Sequence, residues 1–270
     1  MMKRPVITLL SDFGLADHYV AAMKGVILGI CPEAELVDIS HQVAAFYIPE
    51  AAYTLAQAWS CFPKGSTHLA VVDPGVGSER RAIVAVVAGH RFVAPDNGLL
   101  GMILQKNPTA KVREISATRY FCQPVSPSFH GRDIFAPVAA HLACGLNPAK
   151  LGKVIRDPVF GDFTKRTQSG GKWRGTVLKI DKFGNVITNL DWKTFHGIAS
   201  QPFKLMIGNK KVTRFYPTYA AAPRGQIFAM CGSSGYVEVS LNQSDASLFL
   251  SLTPGRPISL TVEMVSTTAS

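Results

Sequence analysis

The residues best suited to chemistry lie in the stretch LAVVDPGVGSERRAIV, residues 69–84. Its apolar beginning is typical of a strand buried on both faces, and Asp73 would follow at the carboxyl end, where open α/β sheets bind their ligands. The proline and glycines after Asp73 predict a sharp turn that could return Arg80 towards the carboxylate. The alternative is that Asp73 caps the turn and that Arg80 is a solvated surface charge.

A second acid follows the first predicted strand, residues 5–10. Asp12 there could hold a ribose through its two hydroxyls, as in dinucleotide sites, or could only cap a turn. Asp12, Asp73, His130 and Asp96 could also meet as ligands of a metal-dependent hydrolase. The spacing does not favour that hypothesis, because the chain has no HxxxH, no DxD and no paired cysteine ligands. No GxSxG elbow marks a serine nucleophile.

Length, charge and cysteine usage narrow the class of protein. The 270 residues are 47% hydrophobic, which suits a globular protein with a substantial core. The net charge of +10 is spread along the chain without a basic run, so we do not expect nucleic-acid binding. Five cysteines without a CxxC pair predict neither a disulfide framework nor a zinc ribbon, and they suit a reducing cytoplasm. No stretch approaches the length of a membrane span or a signal peptide, so we expect a soluble, cytoplasmic protein.

The elements that would position these residues form two different patterns. In the first half, buried strands alternate with helices and lead to a hairpin, which predicts an α/β domain with a largely parallel sheet over residues 1–160. Its predicted strands are 5–10, 36–39, 69–72, 82–88, 91–94 and 112–115. Pro, Gly, Ser and charges then predict a linker at 161–172. Short β-rich runs over 173–270 predict an all-β, barrel-like domain.

Six motifs occur in order along the chain: LLSDFG, VDISHQV, VVDPGVGSER, APDNGLL, SFHGRD and IDKFGNVITN. Taken together, they resemble the S-adenosylmethionine hydroxide adenosyltransferases, the adenosine-forming S-adenosylmethionine hydrolases, over about residues 7–241. The resemblance implies an N-terminal α/β domain, a C-terminal β-barrel and a homotrimer with sites between neighbouring subunits. Fluorinase and chlorinase share that architecture.

The resemblance implies that S-adenosylmethionine is split into adenosine and L-methionine by a water-derived nucleophile that attacks the ribose 5′ carbon, with no cofactor and no metal. It assigns Asp73, Arg80 and His130 to the nucleophile and Asp12 to the ribose. The sulfonium is already a good leaving group, so the enzyme must chiefly supply and orient the nucleophile.

The remaining implied residues bind the substrate. Asp181 and Ser233 would hold the methionine amino group, and Asn185 would contact the adenine. Phe46 would line the pocket near the sugar, and Tyr219 would pack on the base.

The chain departs from fluorinase at two positions. Gly131 stands where fluorinase has a small hydroxyl residue, and Ser234 stands where fluorinase has an arginine, so the group that holds the methionine carboxylate is unassigned. Two alternatives to the hydrolase remain. A halide-dependent adenosyl transferase would need halide to form product, and a non-catalytic adenosine or S-adenosylmethionine binding protein would bind without turnover.

Overall fold

The computed structural model describes residues 4–199, 201–255 and 259–264. The chain divides after Gly161 into two compact units, residues 1–161 and 162–270. Within the described ranges, every helix is too short or too polar to traverse a lipid bilayer.

The first unit is built on a six-stranded sheet. Its strands are β1 (Val6–Ser11), β2 (Glu35–Ser40), β3 (Thr67–Val71), β4 (Ala82–Val87), β5 (His90–Pro95) and β6 (Lys111–Glu114). The spatial order is β2-β1-β3-β5-β4-β6, in which β1, β2, β3 and β5 are parallel and β4 is antiparallel to both of its neighbours. The predicted α/β unit with a largely parallel sheet is therefore confirmed.

Helices cover both faces of this sheet. They are α1 (Tyr19–Ile30), α2 (Ile48–Ala58), α3 (Gly101–Lys106) and α4 (Ala136–Ala143), with a π-helical turn at Gly131–Phe135 that leads into α4. Leu9 and Leu69 pack against α1 and α4, whereas Leu10 and Ala70 belong to the core shared with α2 and α3. Burial of alternate side chains on opposite faces explains why β1 and β3 read as unbroken apolar runs.

A disulfide joins Cys31, just after α1, to Cys144, just after α4. The sequence predicted no disulfide framework, and the spacing of the cysteines gave no reason to expect this single bond. The two positions are 113 residues apart, and only the packing of α1 against α4 brings their Cα atoms to 6.1 Å. Cys61, Cys122 and Cys231 are free.

The first unit ends in a strap, residues 157–161, that returns to the sheet. The amide of Val159 donates to Asp96 (2.9 Å), and Arg81 binds both the carboxylate and the carbonyl of Asp157. A Cβ atom on Gly101 would lie 1.9 Å from the carbonyl oxygen of Phe160. Glycine is therefore the residue that lets the strap lie against the start of α3.

The second unit is a nearly closed antiparallel barrel. Its strands are β7 (Thr167–Ser169), β8 (Lys172–Ile180), β9 (Val186–Asp191), β10 (Phe203–Ile207), β11 (Lys210–Val212), β12 (Ile227–Cys231), β13 (Tyr236–Leu241) and β14 (Ser259–Met264), with short helices α5 (Trp192–Phe195) and α6 (Ala246–Phe249). The order is β11-β10-β14-β8-β9-β13-β12, with β7 also on β8. A bridge from Phe215 to Ala229 links the chain after β11 to β12. The barrel-like prediction is confirmed.

The segment predicted as a linker, residues 161–172, contains a 3₁₀ turn at Asp162–Thr164 and strand β7. The side-chain amide of Asn189 donates to the carbonyls of Phe163 and Lys165, at 3.0 and 2.9 Å. These bonds fasten the segment to β9.

Candidate active site

A cavity of about 580 Å³ opens at the carboxyl edge of the first unit's sheet. Asp12 directly follows β1, and Asp73 comes two residues after β3, so both carboxylates reach this edge. The lining also includes His130 and the aromatic side chains of Phe13, Tyr19, Phe46 and Phe129. The volume suits a drug-sized molecule, and the mixture of aromatic walls with a few polar groups is typical of small-molecule sites.

Asp73, Arg80 and His130 form one hydrogen-bonded set. The guanidinium of Arg80 donates from Nε to Oδ1 of Asp73 (2.8 Å), and its Nη2 contacts Oδ2 of the same carboxylate. Nη2 also donates to Nδ1 of His130 at 2.9 Å. The side chains of Arg80 and Asp73 are only 10% and 5% exposed, so water screens this ion pair weakly.

The turn after Asp73 makes this contact possible. The amide of Val76 donates to the carbonyl of Asp73, and the amide of Ser78 donates to that of Gly75. Gly77 has φ of +81°, and a Cβ atom there would lie 2.6 Å from the carbonyl oxygen of Pro127. Glycine is thus required both for the backbone angle and for the close approach.

Arg80 also decides which nitrogen of His130 carries a proton. A guanidinium has only donors, so Nδ1 of His130 must be the acceptor and Nε2 carries the proton of the neutral ring. Burial lowers the pKa of His130, and the charge of Arg80 lowers it further, while Asp73 acts in the opposite direction. His130 therefore presents an N–H donor in this arrangement.

Asp12 and Phe46 meet on another wall of the cavity. The amide of Phe46 donates to Oδ2 of Asp12 at 2.8 Å. Burial raises the pKa of Asp12, the hydrogen bond from Phe46 opposes that shift, and the charge of Asp73 adds to it. Phe46 has φ of +65°, and the residue is 70% exposed although it lines the cavity. An aromatic residue in this left-handed conformation is uncommon and marks a local constraint.

In the second unit, three of the expected residues form a single network. Oδ2 of Asp181 accepts from the side-chain amide of Asn185 at 2.9 Å, and the same amide lies 3.5 Å from the hydroxyl of Tyr219. Ser233 is exposed in the turn between β12 and β13 and is not a member of the network.

The sequence reasoning missed Glu238, which is 7% exposed and accepts from the hydroxyls of Tyr219 and Ser240. Burial raises the pKa of the Tyr219 phenol, and its hydrogen bond to Glu238 raises it further. The signal was present in β13, because YVEVSL places Glu238 and Ser240 on one face of a buried strand.

Asp96, which the metal hypothesis grouped with the reactive residues, does not join them. Its carboxylate is bound by Arg81 at 2.7 to 2.8 Å and by the amide of Val159. Across the part of the chain that the structure describes, no three His, Cys, Asp or Glu side chains are grouped as metal ligands.

Comparison with known proteins finds two family models in order along the chain. Residues 7–152 match the SAM hydroxide adenosyltransferase N-terminal domain, and residues 175–259 match the SAM hydroxide adenosyltransferase C-terminal domain. An (R)-S-adenosyl-L-methionine hydrolase of Thermus thermophilus is 37% identical over 264 residues, covering 95% of this chain and 99% of that protein. A fluorinase of an Actinoplanes species is 27% identical, covering 95% of this chain and 97% of the fluorinase.

A solved structure is similar to the chain over nearly its whole length. The crystal structure of an uncharacterized conserved protein from Thermotoga maritima has a TM-score of 0.84 and 35% identity, covering 96% of this chain and all of that one. The resemblance inferred from the six motifs is confirmed. The chain belongs to the S-adenosylmethionine hydroxide adenosyltransferase family.

Proposed function

We propose that the protein hydrolyses S-adenosyl-L-methionine to adenosine and L-methionine, with Asp73, Arg80 and His130 acting on the attacking water. The observation that carries this proposal is the hydrogen-bonded set of these three side chains at a cavity that also holds Asp12. Relatives named as hydrolases are more similar to this chain than fluorinases are, at 37% against 27% identity in the pairs described above, which favours water over halide.

The reaction needs little acid catalysis. Attack of the water oxygen forms a bond to the ribose 5′ carbon, and the bond from that carbon to sulfur breaks with its electron pair returning to sulfur. The products are adenosine and the neutral thioether of methionine, and one proton leaves the water. The N–H of His130 would orient the oxygen, and the carboxylate of Asp73, which lines the cavity, would accept the proton.

Asp12 would bind the ribose hydroxyls. Phe46 would cover the sugar, and the role of the second unit would be to bind the remaining ends of the substrate. In that unit, Asp181 and Ser233 are assigned to the methionine amino group. Asn185 and Tyr219 are assigned to the adenine, and their proximity to one another supports a common subsite.

We propose that the active form is a homotrimer in which neighbouring subunits share each site. All residues that line the cavity lie between positions 12 and 132, whereas the second set begins at Asp181. The turn that carries exposed Phe183 adjoins α6, which carries exposed Leu248, since the amide of Ser247 donates to the carbonyl of Gly184. Such apolar side chains suit a subunit interface. Mixing Asp12→Ala chains with Asn185→Ala chains should then restore activity in mixed trimers.

A cytoplasmic location and the lack of any cofactor also belong to this proposal. A thiol count on protein alkylated inside intact cells tests the location, because a reducing compartment would leave five free thiols and an oxidising compartment three. Turnover that is unchanged by EDTA would support a reaction without a metal.

The test of the activity uses both sulfonium epimers. The Thermus relative is named for the (R) epimer, and we propose the same preference here. Purified protein is incubated with each separated epimer, with and without chloride or fluoride, and adenosine and methionine are measured by chromatography. Hydrolysis of the (R) epimer without halide supports the proposal. Product that requires halide would indicate an adenosyl transferase, and binding without product would indicate a binding protein.

A further inference from the structure

A series of four interacting side chains, Ser11, His41, Asp38 and Lys24, begins at the residue before Asp12. The hydroxyl of Ser11 is 2.7 Å from Nδ1 of His41, and Nε2 of His41 is 3.1 Å from Oδ1 of Asp38. The other oxygen of Asp38 accepts from Lys24 at 2.6 Å. Serine, histidine and aspartate in this order are the residue types of a hydrolytic triad.

Ser11 is nevertheless unsuited to be a nucleophile. Its side chain is fully buried, with 0% exposure, so no substrate carbon can approach its hydroxyl. The hydroxyl also accepts a hydrogen bond from the amide of Phe13 at 3.3 Å. A nucleophilic serine needs an open approach and a nearby oxyanion site. This series of side chains therefore has a role other than nucleophilic catalysis.

The neighbours of His41 favour one tautomer of its neutral ring. Nε2 of His41 faces the carboxylate of Asp38, which can only accept, so in the neutral ring Nε2 is the nitrogen that carries the proton. Nδ1 is then the acceptor, and the hydroxyl of Ser11 donates to it. Burial alone would raise the pKa of Asp38, but hydrogen bonds from Lys24 and His41 more than offset that effect, so Asp38 is a carboxylate.

This series of side chains holds the loop that carries Asp12 in place. Ser11 holds the amide of Phe13, and the carbonyl of His41 accepts from the amide of Gly14 at 2.8 Å. These two bonds fix the two residues that directly follow Asp12 in the chain. The carboxylate of Asp12 itself holds the amide of Phe46, which is in the loop that begins at His41. The two loops are thus tied together at both ends.

We propose that Ser11, His41 and Asp38 form a positioning relay that sets the carboxylate of Asp12 for the ribose hydroxyls and so establishes a preference for ribose over 2′-deoxyribose. The inference rests on the proposed function, because the ribose is assigned to Asp12 there. The relay residues touch no substrate and act only through Asp12. The ligand class they select is a ribonucleoside with both hydroxyls free.

The test compares Ser11→Ala with the matched control Ser40→Ala. The hydroxyl of Ser40, the chain neighbour of His41, accepts from the amide of Gln42 at 3.1 Å and is not part of the relay's hydrogen bonds. Dissociation constants for adenosine and 2′-deoxyadenosine are measured by calorimetry on the whole protein. The wild type and Ser40→Ala should favour adenosine, and Ser11→Ala should lose roughly tenfold of that preference, the effect of one hydrogen bond to a charged group.

The ratio of the two constants separates positioning from folding. A variant that is only partly unfolded binds less of both nucleosides, but its ratio is unchanged. In addition, ¹⁵N spectra of the wild type should show His41 protonated on Nε2 and not on Nδ1. An unchanged ratio in Ser11→Ala, or a proton on Nδ1, would overturn the relay.

The outcomes also separate this inference from the proposed function. If the wild type binds adenosine selectively but leaves S-adenosylmethionine intact, the hydrolase proposal fails and the relay stands. If it hydrolyses the substrate while Ser11→Ala keeps the wild-type ratio, only the relay fails. If the wild type binds neither nucleoside, the assignment of ribose to Asp12 fails and the relay fails with it.

Discussion

Replacing Arg80 with methionine should destabilise the first unit by an amount that the ion pair itself determines. The change leaves Asp73, whose side chain is 5% exposed, without its partner. Removing one member of a buried pair costs about 3 to 5 kcal/mol. Asp73 also lines the cavity, where water can partly solvate it, so we expect about 3 kcal/mol. For a unit of this length, that corresponds to a fall in Tm of about 6 to 12 °C.

The double variant Arg80→Met with Asp73→Asn distinguishes stability from chemistry. Removing both charges should restore most of the stability, because no buried charge is left unpaired, while activity stays at least about 10²-fold below wild type. Unfolding in urea can be followed by the fluorescence of Trp59, the one tryptophan before residue 162, at equal protein concentrations. A single variant as stable as wild type, or a double variant no more stable than the single, would refute the reasoning.

Three further predictions concern other parts of the molecule. Burial lowers the pKa of His68 to about 3, below its unfolded value of about 6.5. The folded protein therefore keeps this ring neutral while the unfolded chain takes up a proton, so the free energy of unfolding should fall by up to about 1.4 kcal/mol per pH unit as the pH drops from about 6 to 3. Denaturation curves at several pH values should show this slope, and His68→Phe should flatten it. Glu238→Ala should weaken adenosine binding by roughly fivefold to tenfold, because the hydroxyl of Tyr219 loses its acceptor. Glu238→Gln should bind adenosine nearly as wild type, and neither variant should change L-methionine binding. Equal effects of the two variants on adenosine binding in calorimetry would contradict this. Reducing the bond between Cys31 and Cys144 should lower the free energy of unfolding by about 2 to 4 kcal/mol in urea, and five alkylated thiols in unreduced protein would show that the bond is not formed.

The parts that sequence predicted well depend on neighbouring residues. The apolar run before Asp73 was enough to predict a strand with a carboxylate at its end, and the turn residues after it allowed the return of Arg80 that the structure shows. Turn chemistry is local, so the chain itself carries the information. Strand β7, in the segment predicted as a linker, was missed because three residues are too few to show a pattern.

The parts that sequence could not predict depend on distant partners. Asp96 was grouped with the reactive acids, but it binds Arg81, the neighbour of Arg80. Two adjacent arginines and two acids allow either pairing, and only the folded sheet decides between them. Ser11 and His41 are likewise 30 residues apart and lie in no recognised catalytic spacing.

The strap at residues 157–161 has a consequence for chimaeras and fragments built from this family. The match to the N-terminal family model stops at residue 152. The strap beyond it still packs on the first unit, because Phe160 lies against Gly101 and the carboxylate of Asp96 accepts from the amide of Val159. In a chimaera with its crossover at residue 152, Gly101 and Asp96 would come from one parent and the strap that contacts them would come from the other. With a crossover after Gly161, the strap and the residues that contact it come from the same parent. Recombination within this family should therefore succeed at the later junction and fail at the earlier one.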